Sequence, residues 1–100
     1  MAVMALYQDV DASTKEVRLI AANANRLSGS VILNDSDATL YLKLGAGVSN
    51  VSFVEMLLPR DKASGRPAKY NLPDAYTGDV YGVWNNRHGT ARITQILRSP

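Results

Sequence analysis

Short stretches in which apolar and polar side chains alternate run along most of this chain, and turn-forming residues separate them. In residues 38–44 every second side chain from Leu40 onwards is a leucine, and a Gly-Ala-Gly turn follows. In residues 80–84, Val80, Gly82 and Trp84 alternate with Tyr81 and Val83 before the turn-forming residues 85–89. A repeat of two residues directs successive side chains to opposite faces of a strand. Strands separated by turns about every 8–12 residues are typical of a β-sandwich or barrel.

The fold class that this pattern predicts is all-β, a single antiparallel β-sandwich of about seven short strands, Ig-like or jelly-roll-like. Its strand candidates are residues 15–21, 27–33, 38–44, 51–58, 70–73, 80–84 and 90–97. The polar residues 34–37 are expected to form a hairpin connection, and the last two strands a closing hairpin. Residues 51–58 are apolar enough to predict a strand covered on both faces. Trp84 and Phe53 are expected in the core.

One domain accounts for the chain, because 100 residues with 46% apolar and 20% charged side chains suit a single core. We divide it into residues 1–14, an N-terminal arm or first strand, and residues 15–98, the β-sandwich domain. The chain has no cysteine, which excludes disulfide bonds and thiolate chemistry. The N-terminus lacks the basic start of a signal peptide, and no apolar run approaches the about 20 residues of a transmembrane helix. We therefore expect no membrane contact.

Residues arranged for catalysis or metal binding do not emerge from the sequence. His88 is the only histidine, and it lies among turn-forming residues without the partners that a triad or a zinc site needs. Asp35 and Asp37 resemble the start of a calcium loop, but the glycine and glutamate that complete such a loop are missing. No nucleophile elbow, phosphate-binding loop or dinucleotide-binding sequence is present. We predict no catalytic, cofactor-binding or metal-binding residue, no cofactor, and a protein that is not an enzyme.

Contact with partners is the function that remains, and two segments are candidates for it. The apolar candidates of the N-terminal segment are Val3, Leu6 and Tyr7. The longest polar segment, residues 60–69, contains the basic candidates Arg60, Lys62, Arg66 and Lys69. A loop of this length in a compact domain suggests a role in contact. The net charge is only +2 and the cations are scattered, so nucleic acid is not the expected partner.

Several motifs, in their order along the chain, resemble those of a family of small structural proteins of tailed bacteriophages. The motifs are Ala-Asn-Ala-Asn-Arg at residues 22–26, Asn-Asp-Ser at residues 34–36, Tyr-Leu-Lys-Leu-Gly at residues 41–45, Tyr-Thr-Gly at residues 76–78, Gly-Val-Trp at residues 82–84 and Gly-Thr-Ala-Arg-Ile-Thr at residues 89–94. The resemblance extends over residues 17–97. Residues 60–69 depart from it, because such proteins often have a shorter turn there.

This resemblance implies a non-enzymatic virion component of β-sandwich type, assembled in the host cytoplasm. Within that class it favours a capsid decoration or cement protein that binds the head shell as a homo-oligomer, with a trimer favoured, and stabilises it. Its partners would be the major capsid protein or other virion proteins. A tail, neck or fibre-attachment component is the alternative within the virion. A carbohydrate- or nucleic-acid-binding β-sandwich is the alternative from another class.

Overall fold

The computed structural model describes residues 2–98, which form eight β-strands and no helix. The strands are β1 (Val3–Asp11), β2 (Val17–Ile20), β3 (Val31–Ser36), β4 (Leu40–Leu44), β5 (Glu55–Leu57), β6 (Ala68–Asn71), β7 (Val80–Trp84) and β8 (Gly89–Arg98). Sheet A has the order β1-β8-β3-β6, and sheet B has the order β2-β7-β4-β5. All strand pairs are antiparallel. The predicted all-β, sandwich-like fold is confirmed, with eight strands rather than about seven.

The strand pairs follow a simple rule. β1 pairs with β8, β2 with β7, β3 with β6, and β4 with β5. These are the pairs of one long hairpin whose tip is the β4–β5 connection. Two further pairs, β3 with β8 and β4 with β7, fold this hairpin over into two sheets. Every connection except β4–β5 therefore crosses from one sheet to the other.

The two hairpins predicted from the sequence are wrong, because the strands concerned lie in different sheets. β3 and β8 belong to sheet A, whereas β4 and β7, which adjoin them in the chain, belong to sheet B. The alternation within a strand specifies which face is buried, but it does not specify which strand lies beside it. A turn that crosses between the sheets buries the same apolar faces as a hairpin would, so the sequence pattern fits both arrangements.

The core lies between the sheets and is formed by alternate side chains of both. Its fully buried large apolar members are Leu19, Ile20, Ile32, Leu40, Leu42, Val80, Trp84 and Ile93. The burial predicted for Trp84 is therefore confirmed, and Leu40 and Leu42 of β4 are buried with it. The burial predicted for Phe53 is wrong. Phe53 is 42% exposed and packs against the ring of Tyr41 on the outer face of sheet B, with ring centroids 5.2 Å apart.

Residues 34–36, predicted in a turn, instead extend β3 and direct two polar side chains into the core. The carboxamide oxygen of Asn34 accepts hydrogen bonds from the Trp84 indole N–H at 3.0 Å and from the Ser36 hydroxyl at 2.6 Å. The two N–H groups of its nitrogen are shared among three backbone carbonyls at 2.8–3.1 Å, those of Ala38, Leu57 and Leu58. Buried polar groups are stable when they are hydrogen-bonded. Asn34 therefore links β3 of sheet A to sheet B.

The strand predicted over residues 51–58 is shorter than expected and lies at the surface. Only Glu55–Leu57 pairs with β4, and this strand, β5, forms an edge of sheet B. Leu57 is buried, but the other large apolar side chains of the segment are exposed. A strand at the edge of a sandwich is covered on one face at most. The apolar composition of this segment therefore reflects something other than burial in the core.

A row of alternating charges crosses the surface of sheet A. Arg92 donates to Asp35 at 2.7 Å and to Asp9 at 3.2 Å. Arg60 donates to the other carboxylate oxygen of Asp35 at 2.7 Å and to Asp37 at 3.3 Å. The hydrogen bond from Arg92, together with that from Arg60, lowers the pKa of Asp35 below its usual range. Asp35 therefore connects β3 to β8 and to the segment after β5.

We expect the Asp35→Asn variant to differ from the wild type in its response to acid. Because the folded state lowers the pKa of Asp35, its contribution is complete above the unfolded-state value of about 3.9 and is lost as pH falls through the lower folded-state value. At neutral pH the variant should be less stable by about 1 kcal/mol, because both guanidinium groups are partly exposed. This difference should shrink in thermal melts below about pH 4. A difference that does not change with pH would contradict this role of Asp35.

Candidate interaction surfaces

β1 is a long edge strand with apolar side chains exposed. It pairs with β8 over its whole length, from Val3 opposite Arg98 to Asp11 opposite Thr90, and no strand among residues 2–98 adjoins its other edge. Its exposed large apolar side chains are termed the β1 patch, which consists of Val3, Met4, Leu6 and Tyr7. Val3 is 61% and Tyr7 is 75% exposed. β1 lies within residues 1–14, where the sequence leaves an arm and a first strand as alternatives.

Both faces of the first half of β1 are open. Met4 and Leu6 lie on the inner face of sheet A, the same face as the half-buried Val10, which packs against the core. Sheet B reaches β1 at Gln8, whose side-chain nitrogen donates to the carbonyl of Leu19 on β2 at 2.6 Å. Before Gln8 the inner face of β1 is exposed. The β1 patch therefore presents apolar side chains on two faces of one strand.

A second group of exposed apolar side chains surrounds β5. It is termed the β5 patch and consists of Val51, Phe53, Val54, Met56 and Leu58. β5 is an edge of sheet B and lies beside β6, the edge of sheet A farthest from β1. The β1 patch and the β5 patch therefore lie at opposite edges of the sandwich.

The predicted basic contact residues are distributed over three places. Arg60 is held by two aspartates, as described above. Lys69 lies on β6, where it pairs with Leu33 of β3. Lys62 and Arg66 are exposed on the loop between β5 and β6. This loop follows the β5 patch in the chain, and the part that these cations play in contact stays a prediction.

The outer face of sheet B carries a cleft of about 370 Å³. Its lining includes Tyr41 and Val83, which lie opposite each other on β4 and β7, and it also includes Val48 and Asn50 of the β4–β5 connection. Glu16 fixes that connection, because its carboxylate accepts hydrogen bonds from two backbone amides of the connection at 2.5 and 2.7 Å. The cleft therefore combines an aromatic ring, aliphatic side chains and carboxamides.

Side chains that could bind a metal ion do not cluster in the part of the chain that the structure describes. Among residues 2–98, no group of three His, Cys, Asp or Glu side chains is arranged to hold a metal ion. His88 is exposed in the turn before β8. The same residues contain no helix long and apolar enough to cross a membrane. The two patches and the cleft are the features from which a function can be argued.

No protein-family model, curated protein or solved structure matches this chain. Function is therefore inferred from the fold and the surfaces described above.

The sequence indicates only part of the two patches. Three of the four members of the β1 patch are predicted contact residues, and Met4 is new. The β5 patch is missed entirely, because a segment as apolar as residues 51–58 resembles a buried strand. One signal in the sequence does point to it. Strands of an antiparallel sandwich normally have one solvated face, so the runs at residues 3–7 and 51–58, which lack a polar face, indicate a second contact.

Proposed function

We propose that this protein is a non-enzymatic structural component of a tailed-bacteriophage virion. In this proposal it is a capsid decoration or cement protein that binds the head shell as an oligomer and stabilises it. The observation that carries the proposal is the pair of apolar patches at opposite edges of the sandwich. Exposed apolar patches mark contact surfaces. Two of them allow one subunit to contact two neighbours at once, and several such contacts together hold more tightly than each alone.

The strand order supports the same proposal. One long hairpin folded over into two four-stranded sheets, with the first strand beside the last, is the arrangement of a jelly roll. We therefore propose that the sandwich is of the jelly-roll type rather than Ig-like. Jelly rolls are common in viral capsid and lectin domains. Because a fold alone does not define a function, the surfaces must carry the assignment.

The β5 patch is the surface that we assign to the shell. It consists of apolar side chains around the exposed Glu55, and the loop that follows β5 carries two exposed cations, Lys62 and Arg66, and one exposed carboxylate, Asp61. Protein interfaces commonly combine an apolar centre with a polar rim. The partner that fits is an apolar protein surface with acidic residues at its margin. In this proposal it belongs to the major capsid protein or to another virion protein.

Charged substitutions in the β5 patch should weaken binding to the shell. Val51→Asp and Val54→Asp change exposed side chains, so we expect both variants to fold. A carboxylate buried at the contact should lower the affinity about tenfold or more. The measurement is co-sedimentation with head shells of the encoding phage that lack this protein. Ala24→Asp adds the same charge at an exposed loop residue outside both patches and should bind as the wild type does. Equal binding of all variants would contradict the assignment.

A tail, neck or fibre-attachment component is the alternative position in the virion, and it would use the same surfaces. The number of copies per particle separates the two positions. Hundreds of copies indicate the shell, whereas a handful indicates the tail or a vertex.

The cleft on sheet B favours a second candidate function, the binding of a neutral carbohydrate. Tyr41 offers an aromatic ring for the C–H face of a sugar, and Asn50 and Asn85 offer carboxamides for its hydroxyl groups. Titration with neutral oligosaccharides, followed by NMR, tests this candidate. Chemical-shift changes confined to the cleft and lost in Tyr41→Ala would support it. Unchanged spectra at millimolar sugar would exclude it.

A further inference from the structure

We propose that two copies of this chain associate through their β1 strands, which pair antiparallel about a two-fold axis at Ala5. The contact would continue sheet A across the axis into a sheet of twice as many strands. It deepens the proposed function, because it names a second copy as the partner of the β1 patch. The inference depends on the proposed function only because it treats the β1 patch as a contact surface.

β1 differs from the other edge strands because its residues 3–7 contain nothing that blocks pairing. β6 contains Lys69 and is flanked by Pro67 and Pro73. β5 has three residues and Pro59 follows it closely, and β2 has four residues and an irregular register with β7. Short strands, lysine, proline and irregular register are the usual protection of sheet edges. β1 has nine residues, neither proline nor lysine, and a register with β8 that does not shift.

The apolar side chains of two β1 strands lie opposite one another when the two-fold axis passes through Ala5. In an antiparallel pair, residues directly opposite share a face of the sheet, so residues related by the axis must have an even sum. With the axis at residue 5 this sum is 5 + 5 = 10. Val3 then lies opposite Tyr7 on the outer face, and Met4 lies opposite Leu6 on the inner face. Each member of the β1 patch therefore lies opposite another member across the axis.

Moving the axis by one residue in either direction gives a poorer match. An axis at Leu6 brings the carboxylate of Asp9 opposite Val3. An axis at Met4 leaves Tyr7 without a partner inside β1. With the proposed axis, Asp9 lies outside the apolar pairs and keeps its ion pair with β8. Among the three positions of the axis, the pattern of charged and apolar side chains therefore favours the one at Ala5.

The resulting dimer keeps the rest of the sandwich free. The axis is perpendicular to sheet A, so sheet B lies on the same side in both copies. The β5 patches lie at the two outer ends of the dimer, because each occupies the edge opposite β1. Two-fold dimers are the commonest closed homo-oligomers. This dimer replaces the trimer that the resemblance implies, and the mass of the protein distinguishes the two.

The absence of cysteine from the chain allows a direct disulfide test. In an Ala5→Cys variant the two thiols would face each other across the axis, with Cα atoms about 4.5–5.5 Å apart, a separation that a disulfide spans. Ala5 is exposed, so the substitution should leave the fold intact. Mild oxidation of the purified variant should convert most of it into a covalent dimer that a reductant reverses.

Asp9→Cys is the matched control, because it lies on the same face of the same strand and is also exposed. Residue 9 would lie opposite position 1 of the second copy, 9 − 1 = 8 residues from the other thiol along the strand. That separation is about 27 Å, beyond the reach of a disulfide. This variant should therefore stay monomeric after oxidation. Cross-linking of both variants, or of neither, would overturn the inference.

The mass of the unmodified protein gives an independent readout. By analytical ultracentrifugation at high concentration we expect two copies for the wild type and one copy for Leu6→Lys. One copy or three copies for the wild type would overturn the inference. These measurements use the purified protein alone, whereas the shell test uses variants of the β5 patch. A failure of the β1 contact is therefore distinguishable from a failure of the proposed function.

Discussion

Gly89→Ala should remove most of the stability of this protein. Gly89 begins β8 with a φ of 126°, a conformation that residues with a side chain rarely adopt. A Cβ atom there would overlap the Cα and Cβ atoms of Ser36, the residue opposite it on β3. β3 and β8 are the two central strands of sheet A and cannot easily shift. We expect the free energy of unfolding to fall by at least about 4 kcal/mol, from backbone strain and overpacking together.

Gly65→Ala is the matched control for this experiment. Gly65 also has a positive φ, 73°, but a Cβ atom there would meet no atom within 4 Å. Only backbone strain remains, so we expect a loss of about 1 kcal/mol. Urea denaturation followed by the fluorescence of Trp84 measures both variants. Equal losses for the two substitutions would show that the close approach of Gly89 to Ser36 adds nothing to the loss of stability.

Asn34→Leu should be nearly as damaging, although leucine is apolar and similar in size to asparagine. The substitution leaves the Trp84 indole N–H without its acceptor and removes the donor shared by three backbone carbonyls, whereas the Ser36 hydroxyl can still donate to the Ala38 carbonyl at 3.0 Å. Each buried polar group left without a partner costs about 1–3 kcal/mol. Allowing for relaxation, we expect a loss of about 3–5 kcal/mol in the free energy of unfolding.

An asparagine-to-leucine substitution at an exposed position is the control, because it shows how much leucine itself changes the stability when no hydrogen-bond network is lost. Asn71 is exposed on β6, beside β3 in sheet A. Asn71→Leu should change the free energy of unfolding by about 0.5 kcal/mol or less. If Asn34→Leu were also nearly neutral in urea denaturation, the two sheets would not depend on this carboxamide.

The faces of the strands could be predicted from the sequence because alternation is a local property. Leu40 and Leu42 are buried as their spacing predicts, and Tyr41 between them lies on the outer face. In β7 the same rule buries Val80 and Trp84. These side chains need only the backbone of their own strand to set their direction.

Strand pairing and the buried polar groups could not be predicted, because they depend on distant parts of the chain. Asn34 lies in a polar run that is typical of a turn, and its indole partner is 50 residues away. Arg26 is another example, since it is only 4% exposed and donates to the carbonyls of Tyr76 and Gly78 at 3.2 and 3.0 Å. Burial lowers the pKa of its guanidinium. Neither residue differs in its local sequence from one in an exposed loop.

The candidate surfaces were predicted unevenly for a related reason. An apolar side chain is buried or exposed according to what covers it, and the cover of an edge strand is set by the strand order. Val3, Leu6 and Tyr7 are recognisable because they precede the alternating segments. The β5 patch is not, because residues 51–58 have the composition of a core strand. The lack of a polar face in this run indicates a second contact, and the position of β5 at the edge of sheet B shows that the run is exposed.

The number of copies of this protein in purified particles of the phage to which the proposal assigns it tests the proposed virion function most directly. Quantitative mass spectrometry, with the major capsid protein as internal standard, provides this number. We predict hundreds of copies per particle, retained through gradient purification. Particles that are infectious and free of this protein, purified from cells that produce it, would contradict the virion role.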